Sequence, residues 1–109
     1  MIRGDVVTVA AGGGYGGKPR PATIIQSDNF AATGSVTLCL FTTDAVDAPL
    51  LRLKVEPSPG NGLAETSWLM VDKIVSVRRE KIGRQLGKLG AHDLVRLDRA
   101  LIVFLGLAG

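Results

Sequence analysis

The chain has a single cysteine, Cys39, and a single histidine, His92, in 109 residues. A lone cysteine excludes an intrachain disulfide and suits a reducing compartment. One Cys and one His make no zinc cluster, and they leave no two-histidine acid–base pair within one chain. His92 stands where a helix is expected to begin and reads as a surface residue, and Cys39, inside an apolar strand, reads as core and not as a nucleophile. Carboxylates are not gathered either. Asp44 and Asp47 fall near a loop, whereas a two-metal nuclease needs several convergent acids. Long hydrophobic runs are also missing: the apolar tail from Ala100 to Ala108 has nine residues, and a membrane span needs roughly 20. Met1-Ile2-Arg3-Gly4-Asp5 leads directly into a strand pattern, with no apolar signal-peptide core. These absences lead to the expectation of a soluble cytoplasmic protein that works without metal or cofactor, through Arg, Thr, Ser, Asp and Lys.

What is present is ordinary for a folded domain. The chain is 46% hydrophobic and 21% charged, enough for one domain over residues 1–109 with its own core. A net charge of +3 and a pI near 9.4 are mildly basic. That balance fits a polyanionic ligand such as nucleic acid but is too small to prove one.

Asp5-Val6-Val7-Thr8-Val9-Ala10 predicts a first strand, followed by the loop Gly12-Gly13-Gly14-Tyr15-Gly16-Gly17. The loop lacks the Gly-Lys-Ser/Thr ending of a nucleotide-binding loop and runs into a strand instead of a helix. Strand two is expected from Ala22 to Gln26 and strand three from Ser35 to Thr42. Strand three is apolar on both faces through Val36, Leu38, Cys39, Leu40 and Phe41, which places it centrally. Leu51, Leu53 and Val55 alternate with Arg52, Lys54 and Glu56, as in a half-exposed fourth strand. Pro57-Ser58-Pro59-Gly60-Asn61-Gly62 is a turn. Trp68 to Val71 and Ile74 to Val77 read as strands five and six, separated by the polar pair Asp72-Lys73, and a short strand is expected near Arg84 to Leu89. Leu94, Leu97, Leu101, Phe104 and Leu105 share one face of a closing helix. The pattern predicts a mainly β fold, a small barrel or sandwich with a C-terminal helix. The helix's last turns are apolar nearly all round, which points to a partner chain, most simply a symmetric homodimer, with a buried monomer core as the alternative.

The chain is organised around the stretch from Gly17 to Asp28. Pro19 and Pro21 fix their own φ angles, and Pro21 drives Arg20 into an extended conformation. Arg20 is thus held at a strand mouth beside the glycine loop, placed to offer a cation to a ligand, with an ordinary loop-to-strand junction and a solvated arginine as the alternative.

At this point the chain resembles the MazF/PemK toxin family. Arg3-Gly4-Asp5-Val6-Val7 is similar to that family's opening. Arg20-Pro21-Ala22-Thr23-Ile24-Ile25-Gln26-Ser27-Asp28 is similar to its arginine–proline strand, and Leu40-Phe41-Thr42-Thr43 to its threonine-bearing strand end. Val71-Asp72-Lys73-Ile74 and Asp98-Arg99-Ala100-Leu101 resemble its later strand and closing helix. The motifs occur in order over essentially the whole chain. The resemblance implies an SH3-like, CcdB/PemK-type barrel with a C-terminal helix, forming a homodimer. It also implies an mRNA interferase: a sequence-specific, metal- and ribosome-independent endoribonuclease restrained by a cognate antitoxin. In it a 2′-hydroxyl attacks the neighbouring phosphate, leaving a 2′,3′-cyclic phosphate and a 5′-hydroxyl.

Carried onto this sequence, the family's catalytic arginine matches Arg20 and its catalytic threonine Thr42. A fixed guanidinium and a hydroxyl donor would stabilise the charge that builds on the phosphorane oxygens. Arg20 is unsuited to act as general base, because deprotonating it at neutral pH costs about five pKa units, or about 7 kcal/mol. It is read as an electrostatic clamp and proton donor to the leaving oxygen. Asp72 matches a carboxylate implicated in some members and is the candidate base, with a turn residue between two strands as the alternative. Gln26, Asp28, Ser67 and Lys73 are weaker candidates for RNA contact, each able instead to satisfy backbone groups at a strand end. Lys18 and Tyr15 would offer a phosphate contact and a stacking platform for single-stranded RNA. The chain departs from the family in the loop before Arg20, where Gly14-Tyr15-Gly16-Gly17 replaces a polar segment. The competing readings are a non-enzymatic inhibitor on the same fold, such as a gyrase poison, or a module that only binds RNA.

Overall fold

A computed structural model describes residues 1–10 and 18–107 of the chain. Tyr15 and its glycine loop lie outside the described residues. The regular elements run in the order β1 (Asp5–Val9), β2 (Arg20–Ile24), β3 (Ser35–Thr42), β4 (Arg52–Val55), β5 (Ser67–Arg78), β6 (Ile82–Lys88) and α1 (Ala91–Phe104). The strands form one antiparallel sheet in the order β4-β5-β3-β2-β1-β6.

The alternation of side chains along β3 explains why it lies inside this sheet. Cys39 and Phe41 join Val6, Leu69 and Val71 on one face, where Leu97 and Leu101 of α1 cover them. Leu38 and Leu40 point to the other face and meet Val7, Val9, Ala22, Ile24 and Met70. That second cluster is built from strand residues alone. A sheet that buries a face without a second layer must curl onto itself, as small barrels do.

The edge strands β4 and β6 do not pair, so the sheet is not closed by a ladder. The turn after β4 spans the gap. The Lys88 amide donates to the Gly60 carbonyl at 2.8 Å. Asn61, 2% exposed, fixes the turn by accepting from the Ser58 and Leu63 amides and donating to the Glu56 carbonyl. Gly62 sits at φ +69, and a Cβ there would overlap the Leu86 carbonyl, so the close approach to β6 requires glycine.

Two expectations need correction. The segments around Trp68–Val71 and Ile74–Val77 are one continuous strand, β5. Asp72-Lys73 is no turn but part of a bulge: two residue steps along β3, Cys39 to Phe41, face five along β5, Leu69 to Ile74. The helix stripe is also shorter than its spacing implies. Leu97 and Leu101 are buried, whereas Phe104 and Leu105 are 43% and 52% exposed and belong to neither apolar cluster. Helical spacing decides which side of the helix a residue takes, not how far the sheet beneath it extends.

The Arg3-Gly4-Asp5 opening is structural. The Arg3 guanidinium reaches the Ile25 carbonyl at 2.8 Å and Asp98 of α1 at 2.7 Å, tying the N-terminus to sheet and helix.

Candidate functional site

Arg20 begins β2 and Thr42 ends β3. The β2–β3 register pairs Ala22 with Leu40, and two further residues along it set Arg20 opposite Thr42. Cross-strand partners share a face. The two side chains therefore stand beyond Ala22 and Leu40, on the face away from α1. Both line one cleft of about 340 Å3, together with Leu40, Asp44, Arg52, Met70 and Lys73.

Each polar group in this cleft has a local cause for its position. The Thr42 hydroxyl oxygen accepts from the Asp44 amide at 3.1 Å, which leaves its own proton as a donor. The β5 bulge brings Lys73 to the cleft and Asp72 beside it. Arg52 is paired with Met70 across the β4–β5 ladder, so Asp72 is its diagonal neighbour on the same face. Its Nε and Nη2 donate to the two Asp72 oxygens at 3.0 and 3.2 Å. These hydrogen bonds hold the Asp72 carboxyl below its ordinary 3.8, outweighing the opposing effect of desolvation.

The remaining sequence-predicted residues fall elsewhere. Lys18 is exposed two residues before Arg20. Gln26 and Asp28 line a separate hollow with Arg3 and Arg79. The Gln26 side chain accepts from the Thr37 amide and donates to the Phe30 carbonyl, each at 2.9 Å. Asp28 accepts from the Arg3 amide. Ser67 is 3% exposed and donates to the Glu65 carbonyl. These three side chains hydrogen-bond backbone groups.

Cys39 is fully buried, and burial, with a smaller effect from the Asp72 charge, pushes its thiol up to about 11. His92 is exposed on the first turn of α1. Among the described residues no three His, Cys, Asp or Glu side chains gather to hold a metal ion. No described helix is long and apolar enough to cross a membrane.

Arg52 was not legible as a site residue. Its alternation with Leu51 and Leu53 marks it as an outward-facing strand residue, and only the pairing of β4 with the bulged part of β5 turns that direction into the cleft. Trp68, half-buried, is paired with both Thr42 and Lys54.

Comparison with known proteins gives the family of the chain. A family model for PemK-like, MazF-like toxins of type II toxin–antitoxin systems matches residues 2–105. The probable endoribonuclease MazF of Mycolicibacterium smegmatis is 55% identical over 109 residues, covering the whole of both chains. Among solved structures, an endoribonuclease in complex with its cognate antitoxin from Mycobacterial species superposes with a TM-score of 0.78 at 23% identity, over 98% of this chain and 96% of that one. A MazE–MazF structure from Deinococcus radiodurans gives 0.79 at 23% identity, over 97% and 96%. At these identities the structural likeness is one of fold, and it matches the curled sheet with a closing helix. On the family match and the full-length relative, this chain belongs to the PemK-like, MazF-like toxins of type II toxin–antitoxin systems.

Proposed function

We propose that this chain, an endoribonuclease of the MazF kind, cuts single-stranded mRNA at defined sequences without a metal or a ribosome. The observation that carries the reading is that Arg20 and Thr42 share one cleft at the ends of neighbouring strands. In the reaction the 2′-oxygen loses its proton and bonds to phosphorus as the phosphorus–O5′ bond breaks. O5′ gains a proton, and the products end in a 2′,3′-cyclic phosphate and a 5′-hydroxyl.

The need for Arg20 and Thr42 follows from where charge builds. Negative charge grows on the non-bridging oxygens and then on O5′. A guanidinium at a proline-fixed strand start and a hydroxyl whose oxygen is already engaged by an amide are pre-oriented donors for them. Arg20 is also the proton source for O5′. Asp72 is held ionised by Arg52, and a carboxylate stabilised in this way is a poor proton acceptor. Asp72 acts as a positioning residue for Arg52 and not as the base.

The chain acts as a single toxin domain in the cytoplasm and as a homodimer. Support for the dimer comes from Ile102, Val103, Phe104, Leu105 and Leu107 at the end of α1, all at least 41% exposed. Solved relatives that carry antitoxins support a cognate antitoxin here, an acidic segment that orders on docking across the dimer and covers the basic cleft.

The test is incubation of purified protein with unstructured RNA in excess EDTA, with chemical identification of the new ends. Cyclic phosphate and 5′-hydroxyl ends are expected. Intact RNA across varied sequences would return the chain to the inhibitor or binding-module readings.

A further inference from the structure

The transfer of phosphorus from O5′ to the 2′-oxygen leaves Arg52 without a task, although it lines the cleft beside Arg20 and Thr42. Its side chain is only 14% exposed and is gripped by Asp72 through Nε and Nη2. In a planar guanidinium those two donors share one edge. The other edge, Nη1 with the second Nη2 proton, is what Arg52 can offer a ligand in the cleft. Nη1 donates to no described residue.

The charge of this pair matters as much as its shape. Asp72 cancels most of the attraction Arg52 would exert on a phosphate, while Lys73 and Arg20 supply cations to the same cleft. What Arg52 retains is geometry: two parallel N–H donors in a fixed plane. The complementary partner is an in-plane pair of adjacent acceptors. Guanine offers one through O6 and N7, and cytosine offers one through O2 and N3. Adenine and uracil interleave donors and acceptors along the corresponding edges.

Building on the endoribonuclease reading, we propose that Arg52, held in plane by Asp72, reads the adjacent-acceptor edge of a guanine or cytosine and so sets one position of the cleavage sequence. Arg52 is a specificity residue that touches the substrate, and Asp72 is a positioning residue that acts through it.

The test is sequencing of cleavage sites on a randomised RNA pool for the wild type, Arg52→Ala, Arg52→Lys and Asp72→Ala. Wild type is expected to demand guanine or cytosine at one position. Arg52→Ala should reduce that discrimination about 10- to 100-fold, with a flatter preference at that position and no other. Asp72→Ala should shift the same position in the same direction. Arg52→Lys should not restore it, because an ammonium has no planar edge. Replacing guanine by 7-deazaguanine separates the two bases: the loss of N7 weakens a guanine site and leaves a cytosine site intact.

The double variant Arg52→Gln/Asp72→Asn keeps a neutral hydrogen-bonded pair and covers the case in which Arg52→Ala fails to fold. An unaltered preference in a folded variant overturns the proposal. So does a uniform loss of binding at all sequences with a salt slope reduced by about one, since that marks a phosphate contact. If wild type cuts no RNA, the endoribonuclease reading falls and takes this inference with it. If wild type cuts and the Arg52 variants keep its preference, only this inference falls.

Discussion

Arg52 and Asp72 meet side-on across β4 and β5, two donors on two carboxylate oxygens at 3.0 and 3.2 Å. The contact exists because Asp72 lies two residues beyond Met70, the cross-strand partner of Arg52, on the same face of the sheet. It links a feature of sheet register to the electrostatics of the site, and it has a measurable pH signature.

Asp72 has a lower pKa in the folded chain than its ordinary value of 3.8. In acid the unfolded chain therefore takes up the proton first. The pair's contribution to stability is complete above the unfolded value and is lost as pH falls through the lower folded one. Urea midpoints measured from about pH 5 down to about pH 2 should fall more steeply for wild type than for Asp72→Asn. Parallel curves would show that the fork contributes nothing to folding. The same fork predicts that Asp72→Asn leaves the acidic limb of the pH–rate profile in place. Disappearance of that limb would restore Asp72 as the base.

Arg20 is exposed while Thr42 is half-buried, so the two sites separate catalysis from folding. Arg20→Ala should lower cleavage about a thousandfold or more and change stability by less than about 1 kcal/mol. Thr42→Ser should keep most activity and Thr42→Val should lose about 100-fold, as measured by single-turnover cleavage. Equal losses for the serine and valine variants would separate the hydroxyl from the chemistry.

Cys39 is buried and its thiol is pushed up to about 11, so the reactive thiolate is scarce at neutral pH. Maleimide labelling of the native protein should be at least about 100-fold slower than in urea. Rapid native labelling would place Cys39 outside the core.

Val103 and Phe104 are 62% and 43% exposed at the end of α1. In the proposed dimer they are covered by a second copy. Wild type should sediment as a dimer at micromolar concentration, and Val103→Asp or Phe104→Glu should shift it to monomer. A monomeric wild type would contradict the dimer.

Much of this was legible in the sequence for physical reasons. β3 announces its central position because Leu38 and Leu40 face one way while Cys39 and Phe41 face the other, and all four are apolar. The prolines on either side of Arg20 mark an extended strand entry. Thr42 is visible as the last residue of that apolar run. The rest depends on pairing, which no local pattern contains. Asp72-Lys73 interrupts an apolar strand and reads as a break, yet a bulge accommodates the pair inside β5. Phe104 and Leu105 keep the helical stripe, but the core ends at Leu101. Gln26, Asp28 and Ser67 have the chemistry of RNA contacts and are occupied with backbone groups. Arg52 becomes a site residue only once β4 lies beside the bulge.

The most direct measurement is single-turnover cleavage of an unstructured RNA in excess EDTA, comparing wild type with Arg20→Ala and identifying the fragment ends. A metal-free mechanism through Arg20 gives discrete cuts with 2′,3′-cyclic phosphate and 5′-hydroxyl termini, lost in the variant. Cleavage that requires added metal, that leaves 3′-hydroxyl ends or that survives in a folded Arg20→Ala protein would contradict it.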